Sequence, residues 1–140
     1  MTVAMFTKKY INELSYTIIG CAIEVHRELG PGLLESVYEN CMKEEFEMAG
    51  LRYVAQKQVP VLYKGRQMDS NLRIDLLVED LIIVELKVVE SIIPVHQAQI
   101  LTYMKLLEKP KGIIINFNCT NIFKEGQKTF VNEYYTRLTD

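Results

Sequence analysis

The chain has no tryptophan, two histidines (His26 and His96), three cysteines, four prolines and a net charge of −2 over 140 residues. Each shortage removes a class of protein. Cys21, Cys41 and Cys119 are odd in number and show no Cys-x-x-Cys spacing, so they give neither a disulfide framework nor a thiolate zinc site. Two histidines argue against a histidine-built zinc or iron centre. No apolar run reaches the roughly 18 residues that a membrane span needs. Met1 to Tyr10 lacks the n-region and apolar h-region of a signal peptide, so a cytoplasmic protein without membrane contact is expected. The slight acidity argues against a protein that holds duplex nucleic acid by charge alone. Any such contact is expected to be local, weak or helped by a partner.

What is present suits a single globular domain spanning residues 1–140, with 49% hydrophobic and 24% charged residues. Ile11, Leu14, Ile18, Ala22, Val25 and Leu29 recur at helical spacing over residues 10–29, and Gly30-Pro31 stops the pattern. Leu34, Val37, Tyr38, Cys41, Met42 and Phe46 give a second helix over 33–48, closed by Gly50 and expected to pack on the first. The period then changes. Short strands are expected at Val59 to Tyr63, where Pro60 suggests an edge or a strand start, at Leu72 to Val78, and at Ile82 to Val88. Pro94 opens a third helix running to about Leu107. Ile113 to Phe117 reads as a strand buried on both faces, and Phe130 to Tyr135 as a last strand or a tail. A helix between the third and fourth strands lets those two lie parallel, giving a mixed sheet with helices packed on it.

Two of these strands carry charge inside aliphatic runs: Ile74-Asp75-Leu76-Leu77-Val78 and Ile82-Ile83-Val84-Glu85-Leu86-Lys87-Val88. Charged side chains are rarely buried unless paired or bound to a metal. Glu85 and Lys87, two apart, share a strand face. Hard divalent cations take oxygen ligands, often one or two carboxylates with water and phosphate completing the shell. Asp75 and Glu85 could supply the carboxylates and the Leu86 main-chain carbonyl a further oxygen. Lys87 would stand beside the metal to orient an attacking water or stabilise developing charge. The register between the strands decides the matter. A two-residue loop at Glu79-Asp80 puts Asp75 opposite Val84 and separates the carboxylates, whereas a three-residue loop, 79–81, puts Asp75 opposite Glu85. The three-residue loop is the expectation. The plain alternative is that Glu85 and Lys87 form an ion pair on a solvated strand, worth about 0–1 kcal/mol.

Two helices add residues. Gln99 and Tyr103 are four apart and share a face, with His96 a turn earlier. They are expected on the flank of a core stripe made by Ile100, Leu101, Met104 and Leu107. Glu35 opens the second helix, where the helix dipole favours an acid. Taken singly, each has a structural explanation: a helix-sheet boundary for Gln99 and Tyr103, a first-turn acid for Glu35. His26 is expected at a surface or boundary.

Together these pieces resemble the PD-(D/E)XK nuclease superfamily, and within it the small GxxExxY group. Gly32-Leu33-Leu34-Glu35-Ser36-Val37-Tyr38 matches the group's naming motif, Asp75 the strand aspartate, and Glu85-Leu86-Lys87 the E-x-K. Gln99-Ile100-Leu101-Thr102-Tyr103 matches the Q-x-x-x-Y helix motif of recombination helicase–nucleases. Asn116-Phe117-Asn118 and Lys124-Glu125-Gly126 are similar to the group's tail. The resemblance spans roughly residues 10–131. It implies a restriction-endonuclease-like α/β/α core with a mixed central sheet of about four to five strands. It also implies that Glu35, Asp75 and Glu85 bind Mg²⁺ or Mn²⁺, that Lys87 acts on water, and that Gln99 and Tyr103 orient the site or the nucleic acid strand.

The function so implied is a metal-dependent phosphodiesterase, a nuclease acting on DNA ahead of RNA, with a homodimer as a way to bring two sites to one duplex. A catalytically silent nucleic-acid- or protein-binding module of the same fold is the alternative. A hydrolase of another phosphate ester, such as a nucleotide, is a third reading, since an architecture alone does not fix a function.

Overall fold

The structure, a computed structural model, describes residues 6–140. The part of the leader reading that falls on Met1 to Met5 lies outside the described residues. Helix α1 (Lys8–Leu29) starts where the Thr7 hydroxyl accepts the Tyr10 N–H at 3.0 Å and ends at Gly30, whose φ of 69° few other residues adopt. Its buried stripe, Ile11, Leu14, Ile18, Ala22 and Val25, follows the expected spacing, but Leu29 in the last turn is exposed, not buried. Helix α2 (Glu35–Met48) buries Tyr38, Met42 and Phe46, each four residues from the next, while the expected Leu34, which is its N-cap, and Val37 are exposed. Both stripes pack with Leu76, Val78, Val84, Leu86, Ile113 and Ile115 into one core cluster. Full burial of such side chains stabilises the fold by about 1.5–3 kcal/mol apiece.

Seven strands follow: β1 (Tyr53–Gln58), β2 (Val61–Tyr63), β3 (Arg66–Met68), β4 (Arg73–Val78), β5 (Ile82–Lys87), β6 (Lys111–Asn116) and β7 (Gln127–Val131). Five form a sheet in the order β1-β4-β5-β6-β7, and β2 pairs only with β3 as a separate ribbon. Helix α3 (Pro94–Leu107) is the crossover that makes β5 and β6 parallel; the other pairs are antiparallel. It covers the second sheet face with Ile100, Tyr103 and Met104 against Ile83 and Ile114. Gly112 allows that approach, because a Cβ there would stand 2.8 Å from the Met104 Sδ and 2.9 Å from the Ile100 Cδ1. A π turn (Ile122–Gly126) precedes β7, and a short helix, α4 (Glu133–Thr136), follows it. The result is the α/β/α core with a five-stranded mixed sheet that the resemblance implied. Among the described residues no helix is long and apolar enough to cross a membrane.

Four further expectations need correction. The strand at Val59 to Tyr63 is two elements: β1 ends at Gln58, and β2 begins at Val61 after Val59-Pro60. Pro60 has no N–H to offer a ladder, so it separates the strands rather than starting one. β1 itself was not anticipated; as an edge strand its residues alternate between half-buried and exposed, without an apolar stripe. On α3, Tyr103 is buried at 5% exposure while Leu101 is 39% exposed, so the core-facing stripe is turned from the expected one. Residues 130–135 are neither wholly strand nor tail, since Val131 ends β7 and Asn132 caps α4.

Candidate active site

The β4–β5 turn is the three-residue one. Leu76 pairs with Val84, Leu77 with Ile83 and Val78 with Ile82, and residues 79–81 form the turn with Glu79 and Asp80 at φ of 53° and 57°. That register sets Asp75 opposite Glu85, one step past the last ladder pair. The backbones part there, and side chains take over the hydrogen bonding. The Asp75 N–H donates to the Glu85 Oε2 at 2.7 Å, and the Leu86 N–H donates to the Asp75 Oδ2 at 2.8 Å. Each carboxylate thus satisfies a backbone donor of the opposite strand, which a buried N–H requires.

The alternation of β5 completes this edge. The Lys87 carbonyl accepts the Phe117 N–H on the β6 side, whereas the Leu86 N–H points to the β4 side. A strand residue turns its N–H and C=O to one side, so the Leu86 carbonyl faces the same gap. Lys87 is half-buried at the end of β5, and no carboxylate lies within 4 Å of its ammonium among the described residues. The plain alternative, a Glu85–Lys87 ion pair on a solvated strand, is therefore not what is seen; Glu85 is 7% exposed in the middle strand of the sheet.

Glu35 arrives at this end of the sheet from α2. Its Oε2 accepts the Val88 N–H at 3.3 Å, just past Lys87. Tyr38 explains how. Its hydroxyl donates to the Gly30 carbonyl at 2.6 Å and accepts the Leu33 N–H at 3.2 Å, and its ring stacks on Phe117 at 4.2 Å. The tyrosine so pins the Gly30–Leu34 loop that delivers the glutamate. Asn116, 4% exposed, holds the segment behind Lys87: its amide donates to the Val89 carbonyl at 2.9 Å and accepts the Val89 N–H at 3.1 Å.

From α3, the buried Tyr103 lies near the acids, with no hydrogen bond to them among the described residues. Its phenol is raised above its ordinary value by burial first, then by the Glu85 and Asp75 carboxylates. Gln99 is exposed a turn away, and no hydrogen bond joins it to the acids among the described residues. His96 caps its own helix, its Nδ1 accepting the Ile93 N–H at 3.2 Å. His26 is at a boundary, as expected, 2.9 Å from the Cys119 carbonyl.

Sequence reasoning missed two neighbours. Gln56 lies opposite Asp75 in the β1 register but is skipped by the ladder, with φ at 52°, a conformation costly for a non-glycine residue. Its amide donates to the Glu39 Oε1 at 2.8 Å and stands 3.5 Å from the Asp75 Oδ1. Glu39 follows Glu35 by one helical turn, a spacing that could have marked it.

These acids repel one another. Burial, then the Asp75 carboxylate, pushes the Glu85 carboxyl up to about 8. Burial also raises Asp75, against the hydrogen bond from Leu86, with Glu39 and Glu35 adding to the rise. The donors are all oxygens, the charge is negative, and among the described residues the one ion pair among these acids is Glu39–Lys43 at 3.3 Å. Among the described residues no three histidine, cysteine, aspartate or glutamate side chains are grouped to enclose a metal unaided. Two carboxylates and a carbonyl at an open strand end instead fit a hard cation that keeps water and substrate in its shell.

A mixed sheet between helical layers, with acids where its central antiparallel pair diverges, defines the restriction-endonuclease-like class. A family model described as the PD-(D/E)XK nuclease superfamily matches residues 12–130, and the chain belongs to that superfamily. Its members are nucleases that generally use divalent metal ions and bind nucleic acid. No curated protein and no solved structure matches the chain.

Proposed function

We propose that this protein is a nuclease of the GxxExxY group that hydrolyses phosphodiester bonds in DNA with Mg²⁺ or Mn²⁺. The observation that carries the reading is the reciprocal seating of Asp75 and Glu85 on each other's strands, which aims two carboxylates and the Leu86 carbonyl into one gap. Asp75, Glu85 and the Leu86 carbonyl would hold the cation, with Glu35 at the rim. A bound divalent cation supplies charge to polarise the phosphodiester and to acidify water. The chain does the rest. Lys87, free of an acidic partner, orients the attacking water and stabilises the charge that develops on phosphate. Tyr103 borders the acids from the α3 face. Gln99, exposed one turn away, contacts the substrate strand.

The same reading makes residues 1–140 one catalytic domain, and a pair of such chains the unit that cuts both strands of a duplex. Three free cysteines agree with a reducing, cytoplasmic setting. The test is cleavage of labelled single- and double-stranded DNA with each metal, comparing wild type with Lys87→Ala and Asp75→Ala. Metal-dependent cutting lost in both variants supports the reading. Cutting that survives both refutes this site, and a wild type that cuts nothing points to a binding module.

A further inference from the structure

The ribbon β2–β3 belongs to neither helical layer nor the main sheet, and it leaves the sheet at the acid-bearing end. Gln58 pairs with Arg73, and the Val59 N–H donates to the Leu72 carbonyl at 2.8 Å. Arg73 precedes Asp75 by two strand residues, about 7 Å. The ribbon turns through Lys64-Gly65 at φ of 53° and 79°, the two-residue connection whose twist suits a narrow hairpin.

Its charge is unlike that of the rest of the chain. Residues 57–73 hold Lys57, Lys64, Arg66 and Arg73 against Asp69, a net +3 in a protein of net −2. Of the five arginines, Arg27, Arg52 and Arg137 each sit on a carboxylate. Arg66 and Arg73 are the two that have no acidic partner within 4 Å among the described residues, and both are exposed. Lys64 is likewise exposed and has no acidic partner among the described residues; its ammonium stands 5.4 Å from the centroid of the Tyr63 ring. The tip adds Leu62 at 65% and Tyr63 at 59% exposure. The hairpin and its base thus carry positive charge that no carboxylate neutralises among the described residues, on a ribbon that leaves the sheet at its acid-bearing end, where a phosphate backbone would be met.

We propose that the β2–β3 ribbon is an arm that grips duplex DNA next to the scissile phosphate, with Lys64, Arg66 and Arg73 on backbone phosphates and Tyr63 at the groove. This rests on the nuclease reading and names its substrate class. The major groove of B-DNA admits a two-stranded β-ribbon. The deep, narrow major groove of A-form RNA does not admit side chains. Proteins that bind single strands display successive aromatic rings as stacking platforms, and this ribbon displays Tyr63 alone.

The experiment is fluorescence anisotropy of a labelled duplex in EDTA across a salt series, for wild type and Lys64→Ala/Arg66→Ala/Arg73→Ala. Each lost phosphate contact makes the dependence of log K on log salt shallower by about 1, so the triple variant should lose roughly 2 to 3. Lys9→Ala, an exposed lysine on α1, should keep the wild-type slope. If circular dichroism shows the triple variant unfolded, the three single variants, each shallower by about 1, carry the same decision. An unchanged slope overturns the arm. So does a wild type that binds single strands or duplex RNA as tightly as duplex DNA, or binds no duplex at all. Binding is read without metal, so a wild type that grips duplex but never cuts it refutes the nuclease reading alone.

Discussion

Glu85 makes the metal-free protein's stability depend on pH in an unusual direction. Burial and the neighbouring Asp75 carboxylate lift its carboxyl from an ordinary 4.5 to about 8. The folded state therefore holds a proton that the unfolded state releases. The stabilisation is complete below pH 4.5 and drains away as pH rises through the folded value near 8. That interval corresponds to about 5 kcal/mol for an isolated group, and sharing of the proton with Asp75 together with a window that opens at pH 5 brings the expected loss to about 2–4 kcal/mol. Glu85→Gln keeps an oxygen to accept the Asp75 N–H while removing the charge. Urea unfolding in EDTA at pH 5 and pH 8.5 measures the effect. Wild type should lose stability between the two, Glu85→Gln should lose about 2–4 kcal/mol less, and the variant should be the more stable at pH 8.5. Groups remote from Glu85 contribute alike to both proteins and cancel, whereas relief of the Asp75 carboxyl is part of the measured difference. Equal losses in the two proteins would falsify the assignment of a strained, protonated Glu85.

Three further outcomes follow from the same geometry. Saturating Mg²⁺ or Mn²⁺ at pH 8 should stabilise wild type by about 2.7 kcal/mol at a hundred times the dissociation constant, read as a raised melting temperature, and should barely move Glu85→Gln. Tyr38→Phe removes the hydroxyl that bridges the Gly30 carbonyl and the Leu33 N–H, so it should cost about 1–3 kcal/mol in denaturant unfolding and lower cleavage through misplaced Glu35; unchanged cleavage would separate Tyr38 from the site. Gly126→Ala places a Cβ 2.7 Å from the Asn116 carbonyl and the Cys119 Sγ, and a backbone atom cannot swing aside, so about 1–3 kcal/mol should be lost; a neutral substitution would show that the π turn yields easily.

The legible parts of this protein were those with a local cause. The Asp75–Glu85 register turned on loop length, which the residues left open between two and three; a strand's side-chain period is two, so one residue more or less reverses the face. Helical spacing and Gly30 gave α1 almost to its ends. Pro94 and the helix after it gave the parallel crossover. What escaped depends on distant partners. β1 is built from Tyr-Val-Ala-Gln-Lys-Gln, a sequence with little apolar alternation, and it is a strand because β4 offers it an edge. Tyr103 is turned inward, toward acids that lie on other elements, and Leu101 is left outside. Glu39 and Gln56 meet only through the fold, and the left-handed backbone of Gln56 has no signature in its neighbours.

The way β4 and β5 are joined at Asp75 and Glu85 bears on how such a protein changes over generations. Both acids serve the backbone as acceptors, and an amide oxygen can take over that service. An Asp75→Asn or Glu85→Gln descendant would lose the charges that a cation needs yet keep both hydrogen bonds, the register and the sheet. Loss of chemistry and loss of shape are thus uncoupled at this position. By the proposed reading, a lineage sheds turnover in a single step and passes on an intact scaffold, with its ribbon available for another use.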